Sequence, residues 1–285
     1  MPFAGLRVLS LESRRAKEME TLIRREGGDP FVAPSVQERA LEDHGETIRF
    51  VERMEAGEFD MLICMTGTGL AFFRDQVAAY SAIGLLSAAL RRVVIVSRGP
   101  KPLPILRELG VRANIVVPEP NTWKEIVDAV ALRPERRIVV QEYGRPNLDM
   151  NASLEHLGAC VTPMVVYRWE LPEDLEPLRA AARGLAGRQF DVVLFTSSIQ
   201  LDHLMIVARD LGLQTHVSSA LREFTAIASV GPVMTTTLEA AGLPADIVPV
   251  HPKMAALVKA ASEMAATVLV RKRASFQIAG SLEST

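Results

Sequence analysis

"FDMLICMTGTGL" spans Phe59–Leu70, and "FDVVLFTSSIQL" spans Phe190–Leu201. Each is an apolar run that opens with Phe-Asp and closes in glycine or small hydroxyl residues. The two lie 131 residues apart, and other blocks keep almost the same interval. Gly99-Pro100 recurs as Gly231-Pro232, 132 residues on. "LRELGVRANIVV" from Leu106 answers "LEAAGLPADIVP" from Leu238, again 132 apart. "LRVLSL", a helical stretch and "GGDPFVAP" are matched by "RIVVQE", a helical stretch and "GACVTPMVV", with Gly27 and Gly158 131 apart. Regular spacing over several blocks marks an internal pseudo-repeat of order A-B-A′-B′.

Around these blocks, apolar runs alternate with helical patterns. Predicted strands are Arg7–Leu11, Pro30–Ala33, Met61–Met65, Val93–Ser97, Asn114–Val117, Arg137–Gln141, Val161–Tyr167, Val192–Thr196, Ala226–Val230 and Asp246–Val250. The intervening helices have charged faces, as in "RRAKEMETLIRREGG" and "DLEPLRAAARGLAG". The alternation argues for an α/β fold: two parallel-sheet domains of about five strands each, helices on both faces. The repeat alone leaves open whether the domains are consecutive or interleaved along the chain.

The 285 residues suffice for two domains, and 48% are hydrophobic, enough for sizeable cores. Lysine and arginine total 32 against 34 acidic residues, a balance that makes no electrostatic case for nucleic acid or an anionic membrane. The uncharged stretch from about Gln76 to Leu90, as long as any in the chain, is too short to span a bilayer and contains Ser81, Gly84 and Ser87. "MPFAGLRVLSLESRR" is not a secretory signal, so a cytoplasmic protein is expected. Cys64 and Cys160 fall in predicted strands and read as buried free thiols. The histidines, His44, His156, His203, His216 and His251, show no metal-binding spacing, and no metal or other cofactor is expected.

Each B block has two strand-to-helix corners rich in small residues: Met65–Gly69 and Ser97–Lys101, then Thr196–Ser198 and Val230–Pro232. The first amides of a helix lack partners and the helix dipole is positive there, so such corners can receive anions. For any one corner, plain N-capping by Thr66 or Ser197 is the simpler reading. Four together, at the edge where open α/β sheets bind ligands, argue for a binding site. "TGTGLAF" has Phe72 where a dinucleotide fingerprint needs its third glycine, no P-loop lysine follows Gly67 or Gly69, and "TSSIQ" is no nucleophile elbow.

With these residues in view, the chain resembles uroporphyrinogen-III synthase up to about residue 265. "FTSS" resembles that family's Phe-Thr-Ser-Pro corner, "VGPVMTTTLEAAGL" its Ile-Gly-Pro segment, and "VVYRWELP" its Val-Tyr-Arg crossing strand. Met234 and Pro102 stand where relatives often carry threonine, and Thr68 and Gly69 where many carry an arginine or a hydrophobic residue. The resemblance implies cyclisation of hydroxymethylbilane to uroporphyrinogen III, with ring D inverted and water lost, by a cofactor-independent monomer that receives substrate from the preceding pathway enzyme. It implies two flavodoxin-like domains facing a cleft and joined by a two-stranded linker. The domains would be crossed, 1–36 with 173–270 in one and 37–172 in the other. "SVQERAL" and "VYRWELP" would be the connectors, and 271–285 a disordered tail. The basic triplet Arg271–Arg273 is too small to argue for nucleic acid.

A substrate with an acetate and a propionate on every pyrrole would be met by corner amides and nearby side chains. The candidates are Thr66, Gly67, Thr68, Arg98, Gly99, Lys101, Ser197, Ser198 and Gly231, with Arg14 and Arg145 in matching first-turn positions. The plainer reading of each arginine is a solvated helix face. Tyr167 is the candidate catalytic residue, its phenol helping the substrate hydroxyl depart; the plain alternative is a linker tyrosine that anchors two domains. Tyr143 is a weaker candidate. An alternative to the enzyme is a noncatalytic tetrapyrrole- or anion-binding regulatory module on the same scaffold, favoured by Met234 and Pro102.

Overall fold

The computed structural model describes residues 2–41, 44–80, 83–142, 144 and 146–282. The chain divides into two compact units, Met1–Gln37 with Glu170–Thr285 and Glu38–Trp169.

The first unit is built on a sheet of β1 (Arg7–Ser10), β2 (Asp29–Val32), β10 (Val192–Phe195) and β11 (Ala226–Ser229), in the order β11-β10-β1-β2. All three pairings are parallel, with Val8 opposite both Val192 and Pro30. Its helices are α1 (Ala16–Arg25), α8 (Glu176–Ala186), α9 (Ser198–Asp210), α10 (Gln214–Glu223), α11 (Pro232–Ala240) and α12 (Met254–Leu282).

The second unit has a five-stranded sheet of β4 (Met61–Cys64), β5 (Val94–Ser97), β6 (Ile115–Val116), β7 (Arg137–Gln141) and β8 (Cys160–Met164), ordered β6-β5-β4-β7-β8. It too is parallel throughout. Helices α2 (His44–Glu55), α3 (Gly67–Tyr80), α4 (Ile83–Leu90), α5 (Leu103–Glu108), α6 (Trp123–Val130) and α7 (Leu148–His156) cover it. A separate two-stranded sheet pairs β3 (Gln37–Ala40) with β9 (Tyr167–Glu170).

Both large sheets are dry on both faces, which is why their strands are continuous apolar runs rather than alternating ones. Leu62 and Cys64 enter one core cluster while Met61 and Ile63 enter another. Val193 and Phe195 likewise part from Val192 and Leu194. The two prolines in strands, Pro30 and Pro163, sit in β2 and β8, both edge strands, where a missing amide costs least.

Several expectations change. Asp246–Val250 is not a strand: Ile247 alone bridges to Ala228, and Pro249 has no amide to extend the ladder. The run Val161–Tyr167 is broken into β8 and β9. The carbonyl of Val166 accepts from the side chain of Gln76 (3.0 Å) and the amide of Leu41 (3.3 Å), which draws the chain away from β7. Cys160 is exposed at the start of β8, not buried; Cys64 is buried, and burial pushes its thiol up to about 12.

Residues 271–282, expected as a disordered tail, continue α12, and the basic triplet clasps that helix to the first unit. Lys272, its side chain 10% exposed, donates to the carbonyls of Leu221 (2.8 Å) and Thr225 (2.9 Å) and lies 2.6 Å from Asp246. Burial pulls its ammonium below the ordinary lysine range against the opposing pull of Asp246. Arg273 binds Asp191 (2.6 Å) and lies over the ring of Phe224. Two members of a triplet that reads as a loose charge run, Lys272 and Arg273, are thus consumed within the fold, while Arg271 stays largely exposed beside Asp246.

Candidate functional site

In the second unit, β4 runs into α3 at Thr66. The hydroxyl of Thr66 accepts from the amide of Gly69 at 2.9 Å, an N-cap bond, so the capping reading holds for this hydroxyl. The amide of Thr66 itself donates to Gln141 Oε1 at 3.2 Å, at the end of the neighbouring strand β7. Gln141 is fully buried, and its amide nitrogen donates to the carbonyl of Glu142. That glutamine explains Gly69, because a Cβ there would stand 2.0 Å from Gln141 Nε2. Gly67 is required for a similar reason: its Cβ would stand 2.4 Å from the carbonyl oxygen of Lys101. The corners at Thr66 and Lys101 are therefore in contact. In the second corner, Ser97 Oγ donates to the carbonyl of Gly99 (2.6 Å), Gly99 packs on Asn121, and the amide of Arg98 donates to Cys64 (3.1 Å). Pro102 precedes α5 as its N-cap, where it needs no amide. Arg98 is partly buried and Lys101 exposed.

Tyr167, at the start of β9, is 1% exposed. Its ring stacks on Phe72 (centroids 5.3 Å, planes 17°) and meets the edge of Trp169 at 6.5 Å. Its hydroxyl lies 3.4 Å from Thr66 Oγ1. It thus shares a core with Val166 and Leu70 and touches the first corner through Thr66. Trp169 in turn covers Gly144, whose Cβ would stand 2.4 Å from Trp169 Cδ2 and whose φ is +71°. Arg145 and Tyr143 lie outside the described residues.

In the first unit, the corner after β10 is held by Gln200, whose Oε1 accepts from the amides of Thr196 (2.7 Å) and Ser197 (3.3 Å). Its Nε2 donates to Thr196 Oγ1 (2.8 Å) and the carbonyl of Leu11 (3.3 Å). Thr196 Oγ1 donates to Glu12 Oε2 at 2.5 Å. Ser198 is buried in the first turn of α9, and Arg14 is exposed just before α1. In the last corner, Ser229 Oγ donates to the carbonyl of Gly231 (3.2 Å), and Thr235 Oγ1 donates to Ser229 Oγ (2.9 Å). Pro252 takes the room left by the missing Cβ of Gly231, so that glycine is explained by packing. Met234 is 2% exposed inside the core, while Thr235, beside it, supplies the hydroxyl of the turn.

Sequence reasoning missed Gln141, Glu142, Asn151, Trp169, Glu12 and Thr235. Gln200 was legible as the fourth residue of a Ser-x-x-Gln capping box. Gln141 has no local signal, since its partner is 75 residues away in sequence. Among the described residues no group of three His, Cys, Asp or Glu could hold a metal ion, and no helix is long and apolar enough to cross a membrane.

Residues 17–259 match the family model described as Uroporphyrinogen-III synthase HemD. The uncharacterized protein YjjA of Bacillus subtilis is 27% identical over 263 residues, covering 89% of this chain and 94% of that protein. A mutant uroporphyrinogen III synthase from Thermus thermophilus shares the fold, with TM-score 0.72 and 22% identity over 92% of this chain and 99% of that one. The Helicobacter pylori uroporphyrinogen-III synthetase is a more distant likeness, with TM-score 0.53 and 13% identity over 89% and 97%. A family match over this much of the chain, on parallel α/β sheets with the observed strand orders, places the protein in the uroporphyrinogen-III synthase family.

Proposed function

We propose that the protein is a uroporphyrinogen-III synthase, a hydro-lyase that cyclises hydroxymethylbilane to uroporphyrinogen III with inversion of ring D and loss of water. The observation that carries this reading is the family match across residues 17–259. The chemistry asks for control of shape more than for strong catalytic groups, because the bilane can lose its hydroxyl and close unaided to the non-inverted isomer. Holding its ends so that attack falls on the substituted carbon supplies most of the effect. Helix-start amides and the side chains of Thr66, Thr68, Arg98, Lys101, Ser197, Ser198, Arg14 and Arg145 bind the substrate carboxylates. Oriented dipoles steady the developing azafulvene cation. Tyr167, buried behind Thr66, acts on the leaving hydroxyl through that threonine, as a positioning residue. The substrate arrives from the preceding enzyme of porphyrin biosynthesis, in the cytoplasm, and the protein works as a monomer on an internally repeated scaffold.

Freshly made hydroxymethylbilane, incubated with the purified protein and resolved into isomers I and III, tests the reading. Isomer III should form without added metal. Isomer I alone, at the spontaneous rate, overturns the enzyme. Tyr167→Phe should lower turnover about tenfold or more while product affinity stays within about twofold; an unchanged rate makes the tyrosine an anchor only.

A further inference from the structure

Glu142 and Glu12 occupy corresponding places past the carboxyl ends of β7 and β1, one residue beyond Gln141 and two beyond Ser10. Ser10 pairs with Leu194, which carries Glu12 opposite Thr196; Gln141 pairs with Cys64, which carries Glu142 opposite Met65. Glu12 is half-buried and has donors for both oxygens, Thr196 Oγ1 at 2.5 Å and the amide of Arg15 at 3.2 Å. The side chain of Met65 has no donor to offer, and Glu142 is 2% exposed. Glu142 Oε1 accepts from Asn151 Nδ2 at 3.2 Å. Among the described residues Glu142 Oε2 is buried with no partner, and so is Asn151 Oδ1.

Two unsatisfied acceptors on two side chains already joined by one hydrogen bond are what a missing proton leaves behind. We propose that Glu142 is a neutral carboxylic acid in the folded chain, its Oε2–H donating to Asn151 Oδ1 while Asn151 Nδ2 donates to Oε1, and that this closed acid–amide pair is a proton-dependent latch on the Thr66 corner. One proton satisfies both orphaned oxygens, whereas a carboxylate would leave one buried oxygen bare. The latch reaches the corner in two steps: the carbonyl of Glu142 accepts from Gln141 Nε2, and Gln141 Oε1 accepts from the amide of Thr66.

The surroundings agree. Burial is the largest influence on Glu142 and raises it above the ordinary glutamate range, against the smaller downward pulls of Asn151 and the Asn147 amide. No charged side chain among the described residues acts on it. Met65 faces it from β4; Gln141 and, at the far end of the strand, Arg137 are on β7; β8 offers the backbone carbonyl of Met164, which accepts the amide of Glu142. On α7, Asp149, Glu155 and His156 are exposed.

The inference does not rest on the proposed activity, and its test needs no substrate. The folded-state value is raised, so the latch stabilises fully below the unfolded glutamate value and is lost as pH rises through the folded value. Glu142→Gln keeps the shape and the donor but cannot ionise. Measured by urea unfolding at a series of pH values, the wild type should fall behind Glu142→Gln by up to about tenfold in folding equilibrium constant per pH unit between the unfolded and folded values. A constant difference at all pH, or a wild type that gains on the variant as pH rises, overturns the proposal. Should Glu142→Gln fail to fold, carbon-13 spectra of glutamate carboxyl groups in the wild type decide instead. One carboxyl titrating above the others and lost in Glu142→Asp supports the latch; all titrating together in the ordinary range overturns it. Arg145→Gln tests a cationic partner: the pH dependence should be unchanged, and its appearance only in that variant overturns the neutral pair. In a Trp123→Phe background, Trp169, packed against Gly144, should change its emission over the same pH range in the wild type and not in Glu142→Gln.

Discussion

At the corner after β10, the side-chain amide that receives the backbone N–H groups belongs to Gln200, the third residue of the helix that follows. At the corner after β4, the third helical residue is Gly69, and the amide arrives from Gln141 on the next strand. The same group meets the same need in the two sheets, delivered once from within the helix and once from across the ladder. The glycine in one corner is therefore the counterpart of the glutamine in the other: Gly69 is small because a glutamine amide fills its place. Corner glycines that look like openings for a ligand are in this chain filled by protein, Gly67 by the carbonyl of Lys101, Gly99 by Asn121 and Gly231 by Pro252. Ligand binding at these corners accordingly has to come from the remaining amides and from side chains at the rim.

The sharpest way to break this comparison is to exchange the two solutions. Gly69→Gln alone collides with Gln141 and should cost about 3 kcal/mol of stability. Gly69→Gln with Gln141→Leu copies the first unit, where Leu11 follows the strand at the register place of Gln141, and should recover to within about 1.5 kcal/mol of the wild type. Urea unfolding followed by amide exchange at Thr66 measures both, and a double variant no better than the single one means the corners are not interchangeable.

Single deletions come next in size. Gln200→Leu strips two amides of their acceptor and should cost about 2–3 kcal/mol; Gln141→Leu strips one and should cost about 1–2. Equal losses in denaturant titrations would mean that the count of amides does not set the cost. Thr66→Ala removes the N-cap of α3 and should lower stability by about 1 kcal/mol, read as a shift of the unfolding midpoint. Tyr167→Phe is the mildest, under about 0.5 kcal/mol, because its hydroxyl contact is long and the ring contacts with Phe72 and Trp169 persist. A large loss there would show that the hydroxyl holds the corner in place.

The helices and strands of both sheets were readable because parallel strands buried on two faces must be written as unbroken apolar runs, and the helices between them must keep a wet face. Misreadings fell where a distant partner decides. Val161–Tyr167 looked like one strand because nothing local announces that Gln76 and Leu41 claim the carbonyl of Val166. Arg271–Arg273 looked like a solvated charge run because Asp191 and Asp246, its partners, lie far back in the chain. Tyr167 was marked as a candidate on its motif, but its depth, 1% exposed behind Thr66, depends on Phe72 and Trp169 closing around it.

Composition and periodicity by themselves determined that the chain forms parallel α/β sheets with polar corners at the strand ends, because hydrophobic pattern and helix-start chemistry are local properties. The tertiary structure alone decided which side chain fills each corner, which carboxyl oxygen is left without a donor and which basic residues are spent inside the fold. Those outcomes turn on what lies opposite across a ladder or beneath a helix: Thr196 against Glu12, Met65 against Glu142. A one-dimensional pattern does not carry that opposition, since it is set by register and packing between segments far apart in the chain.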